Sequence, residues 1–302
     1  MNQFKTLLGF DMETDIGSWT SWYNGFRPGT EKILAILDKH QLRATFFFTA
    51  DAAQKNPEVL RMVAEQGHEI GAHTLFHETI GEPLFEIPGM VPVLPEEVEN
   101  RLRKNTEMIE ALCGIRPLSF RCPRLFGSTA VVNALEKLGY KADVSYPMYF
   151  YRDRLTPYHP DRRDWTQEGD LNLVEIPNFD DLSQTSNDLY GRDLDQWPLW
   201  RLKGAEALMK HVNGFLEYCR ERGKNPCLAF YMHPWEFHPI PEGMLHYGEG
   251  AVLPDPFIVK NCGPVAVEQF DRLLDRLTEA GAVFKTAGEL ADETQKNENK
   301  NQ

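Results

Sequence analysis

The 302-residue sequence contains only five cysteines, and none of them forms a Cys-x-x-Cys pair. An odd number of cysteines cannot all pair within one chain, so we expect free thiols, a reducing compartment and no cysteine-based zinc site. Basic residues are also few, with 32 Lys and Arg against 45 Asp and Glu. The formal charge of −13 repels phosphate backbones and anionic lipid surfaces, which argues against nucleic acid and membranes as partners.

Several targeting and nucleotide-binding patterns are absent. No apolar run approaches the ~18 residues of a membrane span. Asp11 interrupts the N-terminal apolar stretch before the apolar region of a signal peptide is complete, so we expect a cytoplasmic location. Neither Gly-x-Gly-x-x-Gly after a strand nor Gly-x-x-x-x-Gly-Lys-Ser/Thr occurs, and dinucleotide and P-loop chemistry therefore have no support in the sequence.

Short apolar segments alternate with amphipathic segments, which is typical of βα units around a parallel sheet. The predicted strands cover 4–10, 44–49, 69–73, 118–121, 142–145, 173–177, 227–232 and 283–285. The predicted helices cover 30–40, 57–66, 96–113, 128–138, 199–222 and 264–280. Thr30 is the expected N-cap of the first helix. The length fits two modest domains or one large α/β barrel.

Two other segments deviate from this alternation. Residues 82–95 contain four prolines and are predicted to form a long loop that covers or narrows the mouth of a site, as is the insert at 153–170. Residues 294–302 contain no apolar side chain, and we expect them to be disordered. With no linker elsewhere, the sequence predicts a single domain over 1–293 followed by a tail over 294–302.

Two acidic residues, Asp11 and Glu13, stand where the first predicted strand ends. Strand side chains repeat every two residues, so both carboxylates are expected on the same face. In parallel α/β sheets and barrels, ligands bind beyond the carboxyl ends of the strands. Taken alone, the pair is equally consistent with solvated loop acids.

The third predicted strand ends in His73-Thr-Leu-Phe-His77, which enters a turn or a helix. In helical geometry two imidazoles four residues apart share a face and can approach one divalent ion. Such a pair is more often incidental than metal-binding. Here, however, Asp11 and Glu13 lie at a neighbouring strand end and offer an oxygen ligand, and two histidines with one carboxylate form a typical hydrolytic metal site.

Two later strands also end in polar residues, Arg121 in Arg-Cys-Pro and His233 in Tyr-Met-His-Pro-Trp. Alone, Arg121 would suggest a structural ion pair and His233 a satisfied histidine near the core. Four strand ends that carry acids, histidines, an arginine and a further histidine together favour an active site.

In this order the motifs resemble those of the NodB-homology polysaccharide deacetylases, which are carbohydrate esterase family four, and of their cytoplasmic amidohydrolase relatives. The resemblance covers roughly residues 4–290. It rests on Asp11-Met-Glu13, His73-Thr-Leu-Phe-His77, Arg121-Cys-Pro and Leu228-Ala-Phe-Tyr-Met-His233. The family's first motif usually has adjacent acids, whereas Met12 separates them here. The spaced form is similar to that of peptidoglycan deacetylases and allantoinase-like enzymes, which leaves the substrate more open than the chemistry.

The resemblance implies a distorted parallel (β/α) barrel of seven or eight strands. It also implies a divalent metal, zinc or else cobalt, nickel or iron, held by Glu13, His73 and His77. Asp11 would be the general base, Arg121 would orient it, and His233 would protonate the leaving nitrogen. The implied reaction is hydrolysis of a linear amide, and the preferred form of it is removal of an acetyl group from an N-acetylated amino sugar or glycan. The alternative is a cyclic amide or imide hydrolase or a deformylase acting on a small molecule. The resemblance to cytoplasmic members also implies a homo-oligomer, and the expected ligand is a small molecule or an oligosaccharide.

Two groups of loop residues have no assigned role. Aromatic side chains cluster after the first strand and after a middle strand, where they either stack on a sugar or planar amide or pack beneath loops and at an interface. Asp180 and Asp181 either line the site or are solvated. The aromatic residues concerned are Trp19, Trp22, Tyr23, Phe26, Tyr146, Tyr149, Phe150 and Tyr151.

Overall fold

A computed structural model describes residues 3–87 and 89–301. Among these residues there are ten strands, eight of them in one sheet and two in a separate hairpin. The strands are β1 (Phe4–Met12), β2 (Thr45–Phe48), β3 (Glu69–Ala72), β4 (Ser119–Phe120), β5 (Ala142–Asp143), β6 (Val174–Glu175), β7 (Cys227–Met232), β8 (Leu245–Tyr247), β9 (Gly250–Val252) and β10 (Ala282–Phe284).

The large sheet is parallel and curls into a barrel. Strand β1 pairs with three other strands. Along one edge β1 pairs with β7, and along the other it pairs with β10 near its start and with β2 near its end. From β2 the sheet continues through β3, β4 and β5 to β6. Just beyond β6, Asn178 forms a parallel bridge to Ala229 of β7, which closes the ring. The predicted α/β barrel of seven or eight parallel strands is therefore confirmed.

Helices lie around the barrel and at its two ends. They are α1 (Phe26–Lys39), α2 (Ala50–Lys55), α3 (Pro57–Glu65), α4 (Val98–Cys113), α5 (Thr129–Lys137), α6 (Met148–Tyr151), α7 (Leu199–Leu202), α8 (Ala205–Glu221), α9 (Pro256–Val259), α10 (Pro264–Glu279) and α11 (Ala287–Asn301). No helix among the described residues is both long and apolar enough to cross a lipid bilayer.

Side-chain alternation along the strands separates two apolar cores. The larger core lies between the sheet and the helices and includes Phe10, Phe46 and Phe120. The smaller core includes Leu7 and Val144 together with Ala287 and Leu290 of α11. Along β1, the side chains of the larger core alternate with Leu7, Gly9 and Asp11, which therefore face the other side of the sheet. We assign this side, and with it the smaller core, to the barrel interior. Helix α11 packs against the lower end of that interior.

The helix boundaries differ from the predicted ones in three places. Helix α1 begins at Phe26, so Thr30 is not its N-cap but an internal residue whose hydroxyl donates to the Phe26 carbonyl oxygen at 2.7 Å. The helix predicted over 199–222 is broken at Gly204, whose φ of 89° lies outside the helical region. Residues 294–301, predicted to be disordered, continue α11 as a helix, in keeping with the good helix propensities of Gln, Lys and Glu.

Two acidic side chains, one from β5 and one from β6, are buried next to the segment that follows β5. Asp143 and Glu175 are both fully buried. Glu175 Oε1 accepts from the amides of Ser145 and Tyr146 at 2.9 and 2.8 Å. Burial raises the pKa of Asp143 to about 6, and burial together with the Asp143 charge raises the pKa of Glu175 well above its usual value. The pair therefore retains a proton at a pH where exposed acids have lost theirs.

Glu175→Gln is expected to remove a pH-dependent loss of stability. An acid whose pKa is raised on folding stabilises the native state fully below its unfolded pKa, and this stability is lost as pH rises through the folded pKa. We expect Glu175→Gln to be more stable than wild type by about 1–3 kcal/mol at pH 8 and by much less at pH 5. Urea denaturation at the two pH values measures this. Glu168→Gln, at an exposed acid, is the matched control. An unchanged pH dependence in Glu175→Gln would contradict the raised pKa assigned to this side chain.

Candidate metal centre and active site

The two acids of the first strand lie together at the mouth of the barrel. Asp11 is the penultimate residue of β1 and Glu13 is the first residue after it. Both are buried, and both line the same pocket, as expected for positions two apart in an extended chain. The alternative of solvated loop acids is thereby excluded for this pair.

His73 and His77 converge through a turn rather than through a helix. His73 directly follows β3, and Thr74 and His77 both adopt positive φ, at 67° and 61°. The turn is fixed by Glu78, whose carboxylate accepts from the amides of Leu75 and Phe76. The two imidazole centroids lie 5.0 Å apart. Positive φ is uncommon outside glycine and is often retained where function requires it.

Glu13, His73 and His77 form one buried cluster. One potential ligand atom from each lies within 4.8 Å of the other two. Glu13 Oε2 is 2.5 Å from His77 Nε2 and 3.8 Å from His73 Nε2. His73 Nδ1 lies 2.7 Å from the Arg121 carbonyl oxygen, so it carries the proton there and leaves Nε2 with its lone pair toward Glu13.

The polar atoms of this cluster fit a metal ion. Glu13 Oε2 and His73 Nε2 are buried and have no hydrogen-bond partner. Unpartnered buried polar atoms are costly and need an explanation, which a cation between them would supply. A ligating histidine typically donates its other N–H to a carbonyl or carboxylate, as His73 does. Two imidazoles and one carboxylate are a ligand set that zinc accepts.

The charge states of the cluster also suit metal binding. Burial acts to raise the pKa of Glu13, but the neighbouring imidazoles of His77, His73 and His233 outweigh it and hold the pKa well below its usual value. Burial lowers the pKa of His77 despite the opposing charge of Glu13. A carboxylate and a neutral imidazole are the forms that bind metal.

Asp11 is held by Arg121 inside the barrel. Arg121 Nη1 donates to Asp11 Oδ1 at 2.8 Å, and its other nitrogens reach the Val144 and Phe230 carbonyl oxygens at 3.2 and 3.3 Å. A Cβ atom at Gly9 would lie 2.5 Å from two of the guanidinium nitrogens, so a glycine is needed there for the arginine to fit. Arg121 is fully buried and fixes the orientation of Asp11.

His233 lies across the cluster from His77. It directly follows β7, and its Nε2 is 3.5 Å from Glu13 Oε1. Its Nδ1 is 3.0 Å from Glu236 Oε1, and Arg201 Nε donates to Glu236 Oε2 at 2.9 Å. Burial would lower the pKa of His233, but Glu236 and Glu13 outweigh it and the pKa is raised. An imidazole that holds its proton more tightly can act as an acid toward a leaving group.

Residues 10–142 match the family profile described as polysaccharide deacetylase. This segment contains five of the six predicted site residues, namely Asp11, Glu13, His73, His77 and Arg121. The chain is related to the polysaccharide deacetylases.

Individual deacetylases support this relationship over part of their length. A segment of 94 residues is 34% identical to part of a peptidoglycan-N-acetylglucosamine deacetylase of Bacillus cereus. The segment covers 31% of this chain and 30% of that enzyme. The chain thus spans under a third of that relative. A solved Mycobacterium smegmatis protein named as a polysaccharide deacetylase matches 98% of this chain and 92% of its own, with a TM-score of 0.65 and 18% identity. The structure of Puue allantoinase matches 95% of this chain and 89% of its own, with a TM-score of 0.60 and 14% identity. These two likenesses show the fold.

The pocket of this deacetylase relative is built largely from inserts between the strands. It has a volume of about 320 Å³ and reaches Asp11, Glu13, His77 and His233 at its base. Its walls come from the segment after β1, the proline-rich loop, the turn after β4, the segment before α7, the end of β7 and α9. The wall residues are Ile16, Gly17, Trp19, Phe85, Ile87, Arg124, Leu125, Arg192, Trp197, Tyr231, Trp235, Phe257 and Ile258.

The loop residues without an assigned role divide between wall and core. Trp19 lines the pocket, whereas Phe26, Tyr146 and Tyr149 are buried in the core. Asp180 and Asp181 are buried, so they are not solvated acids, and neither lines this pocket. Asp180 accepts from the amide of Tyr149, and Asp181 lies 2.7 Å from His211.

Several residues of the site were not identified from the sequence. Glu236 follows His233 by three residues and also accepts from the Trp197 ring nitrogen at 2.9 Å. An acid three residues after the N-cap is the spacing of a capping box. With His233 as the N-cap, this spacing could have identified Glu236 from the sequence. Arg124 and Arg192 lie in one-turn 3₁₀ helices and Trp197 lies in a turn, and no local sequence pattern marks any of the three.

Proposed function

We propose that this protein is a metal-dependent amidohydrolase that removes an acetyl group from an N-acetylated amino sugar. The observation that carries the proposal is the convergence of Glu13, His73 and His77 beside the Asp11–Arg121 pair and His233 at one end of the barrel. This end is formed by the carboxyl ends of the strands, where barrel enzymes have their active sites.

Glu13, His73 and His77 would hold a divalent cation, with zinc as the first candidate and cobalt, nickel or iron as alternatives. When bound, such an ion polarises a carbonyl oxygen and lowers the pKa of a bound water toward ~7. All three side chains are buried. The remaining residues then have to move protons and position the amide.

Asp11 is assigned as the general base and His233 as the general acid. The Arg121 guanidinium, 2.8 Å from Asp11, keeps that carboxylate oriented toward the pocket. His233 lies on the other side of Glu13, and its Nδ1 contact with Glu236 fixes the ring so that Nε2 faces the cluster. Asp11 would accept a proton from the attacking water, and His233 would donate one to the departing nitrogen.

An acetylated amino sugar is favoured as substrate by the relatives, since the Bacillus cereus enzyme is named for deacetylation of N-acetylglucosamine units in peptidoglycan. Indole rings on the pocket walls also offer flat apolar surfaces for a sugar ring. The second candidate is a small cyclic amide or imide, which the restricted pocket volume equally admits. A homo-oligomeric state and a catalytic domain ending near residue 293 remain predictions.

Release of acetate from N-acetylated sugars by metal-loaded protein tests this function. The protein is stripped of metal, reloaded with zinc, cobalt or nickel, and assayed for acetate with N-acetylglucosamine and its oligomers. We expect acetate only from the metal-loaded forms. Ring opening of a cyclic amide without acetate release would favour the second candidate. Absence of any metal uptake, or of any amide hydrolysis, would overturn the proposal.

A further inference from the structure

The walls of the pocket restrict the size of its ligand. Its volume of about 320 Å³ lies at the lower end of the ~300–1,000 Å³ of ligand pockets. Six separate chain segments contribute wall residues around the mouth of the barrel. Because inserts such as those bearing Trp19, Phe85 and Phe257 all contribute to the walls of this small space, a single ring fits it better than an internal unit of a long polymer.

Few wall side chains can satisfy sugar hydroxyls. Most wall residues are aliphatic or aromatic. Among the described wall residues beyond the groups at the base, those with a charge or a hydroxyl are Arg124, Arg192 and Tyr231, and the Tyr231 hydroxyl is already engaged by Asp195 at 2.5 Å. An extended glycan would bring several hydroxyls into this space, and burying them without partners is costly. The two arginines are therefore the principal polar features.

Arg192 is held in place on the pocket wall. Its Nη1 lies 2.7 Å from Asp195 Oδ2 and 3.3 Å from the Tyr149 hydroxyl. Its guanidinium carbon is 5.8 Å from the ring centre of Phe85 and 5.1 Å from that of Tyr149. The contacts with side-chain oxygens involve one nitrogen, and 34% of the side chain remains exposed. The arginine is thus fixed but accessible from the pocket.

Arg124 is also constrained at the pocket wall. It follows Pro123 in the turn after β4 and adopts a φ of 58°. Its Nη1 donates to Thr79 Oγ1 at 3.4 Å. Arg124 and Glu13 line the same pocket. A non-glycine residue in this conformation carries a strain that the surrounding structure must offset.

The local charge of the pocket differs from that of the whole protein. Two carboxylates that line the pocket, Asp11 and Glu13, are matched by the guanidinium groups of Arg124 and Arg192. Behind the wall, Arg121 pairs with Asp11 and Asp195 pairs with Arg192, and these two partners add no net charge. A bound divalent cation therefore leaves the site net positive, although the chain carries a formal charge of −13. This combination favours a small anion inside the pocket and repels a polyanionic chain from the surface.

We propose that the substrate is a one-ring N-acyl compound with an anionic substituent, a carboxylate or a phosphate, that binds Arg192 and Arg124. This inference rests on the proposed amide hydrolysis and specifies its substrate class. Arginine is well suited to planar, bidentate recognition of either anion. The reacting amide would then lie over Asp11 and Glu13 while the anionic group is held at the wall.

Binding to an inactive, zinc-loaded Asp11→Asn protein tests the inference separately from turnover. Calorimetry is carried out with N-acetylmuramic acid, with N-acetylglucosamine 6-phosphate and with neutral N-acetylglucosamine. We expect one of the two anionic sugars to bind about 10-fold or more tightly than the neutral one. Which of the two binds more tightly distinguishes carboxylate from phosphate recognition. Equal affinity for all three sugars would overturn the inference.

Arginine variants on the same background locate the anion site. Arg192→Gln and, separately, Arg124→Gln should reduce the anionic preference to about 3-fold or less. Arg103→Gln, at an exposed arginine of α4, is the control and should keep the full preference. Circular dichroism and thermal melting check that each variant is folded, and the two arginines provide independent tests should one variant fail to fold. Full retention of the preference in both pocket variants would overturn the assignment.

Turnover by the wild-type protein separates this inference from the proposed function. We expect a higher kcat/KM for the anionic monosaccharide than for N-acetylglucosamine or chitopentaose. A preference for chitopentaose would overturn the one-ring inference and leave the deacetylase proposal standing. No hydrolysis of any N-acetylated sugar, together with preferential binding of the anionic sugar, would overturn the proposed activity and leave the binding inference standing.

Discussion

Asp11→Asn is expected to lower kcat by about 10²–10⁴-fold while leaving the metal content unchanged. Asn has nearly the same shape as Asp and can still accept a hydrogen bond from Arg121 Nη1, which lies 2.8 Å from Asp11 Oδ1. The amide cannot take a proton from water, so the general base is lost while the geometry is retained. Steady-state kinetics on the acetylated sugar and elemental analysis of the same sample measure the two effects.

A matched variant separates this effect from a general loss of negative charge. Asp38→Asn removes an exposed carboxylate of α1, outside the described site, and should leave both kcat and metal content at wild-type values. If Asp11→Asn retained full activity on a working substrate, the assignment of the base would be wrong. If it lost its metal as well, Asp11 would be a ligand rather than a base.

Much of the barrel could be predicted because its signals are local. Strand β7 was predicted with its observed boundaries because an unbroken apolar run ends at His233. Helix α4 ends where Gly114 adopts a φ of 73°, the left-handed conformation typical of a helix C-cap. The start of α1 was misplaced because Thr30 is a good N-cap residue, whereas the observed N-cap, Gly25, has no side chain to indicate it.

The chemistry of the site was predictable for a different reason. Parallel strands bring their carboxyl ends to one edge, so Glu13, His73 and His233 could be placed together without knowledge of their contacts. The mode of convergence was less predictable, because His73 and His77 approach through positive-φ residues rather than through a helix. The pocket walls could not be predicted at all. Arg192 begins a one-turn 3₁₀ helix and Trp197 lies in a turn, and such short segments have neither a hydrophobic period nor a long helix whose caps could be recognised.

His77→Ala is expected to abolish stable metal binding. His77 Nε2 is 2.5 Å from Glu13 Oε2, and its loss leaves one imidazole and one carboxylate. Loss of a group that merely supports a ligand weakens binding by ~10–100-fold, so loss of a ligand should exceed that range. Zinc titration against a competing chelator measures the dissociation constant. His246→Ala, at an exposed histidine of the β8–β9 hairpin, should bind zinc like wild type.

Thermal stability gives a second measure of the same loss that does not depend on substrate. A ligand that binds only the folded protein raises its stability in proportion to the logarithm of ligand concentration over Kd. Zinc should therefore raise the Tm of the wild-type protein and of His246→Ala, and should leave that of His77→Ala nearly unchanged. Because Glu13 Oε2 and His73 Nε2 lack hydrogen-bond partners in the protein, the metal-free wild type should itself be less stable than the zinc-loaded form. A zinc-dependent rise of equal size in His77→Ala would show that the cation binds elsewhere, and the three-residue ligand set would then be wrong.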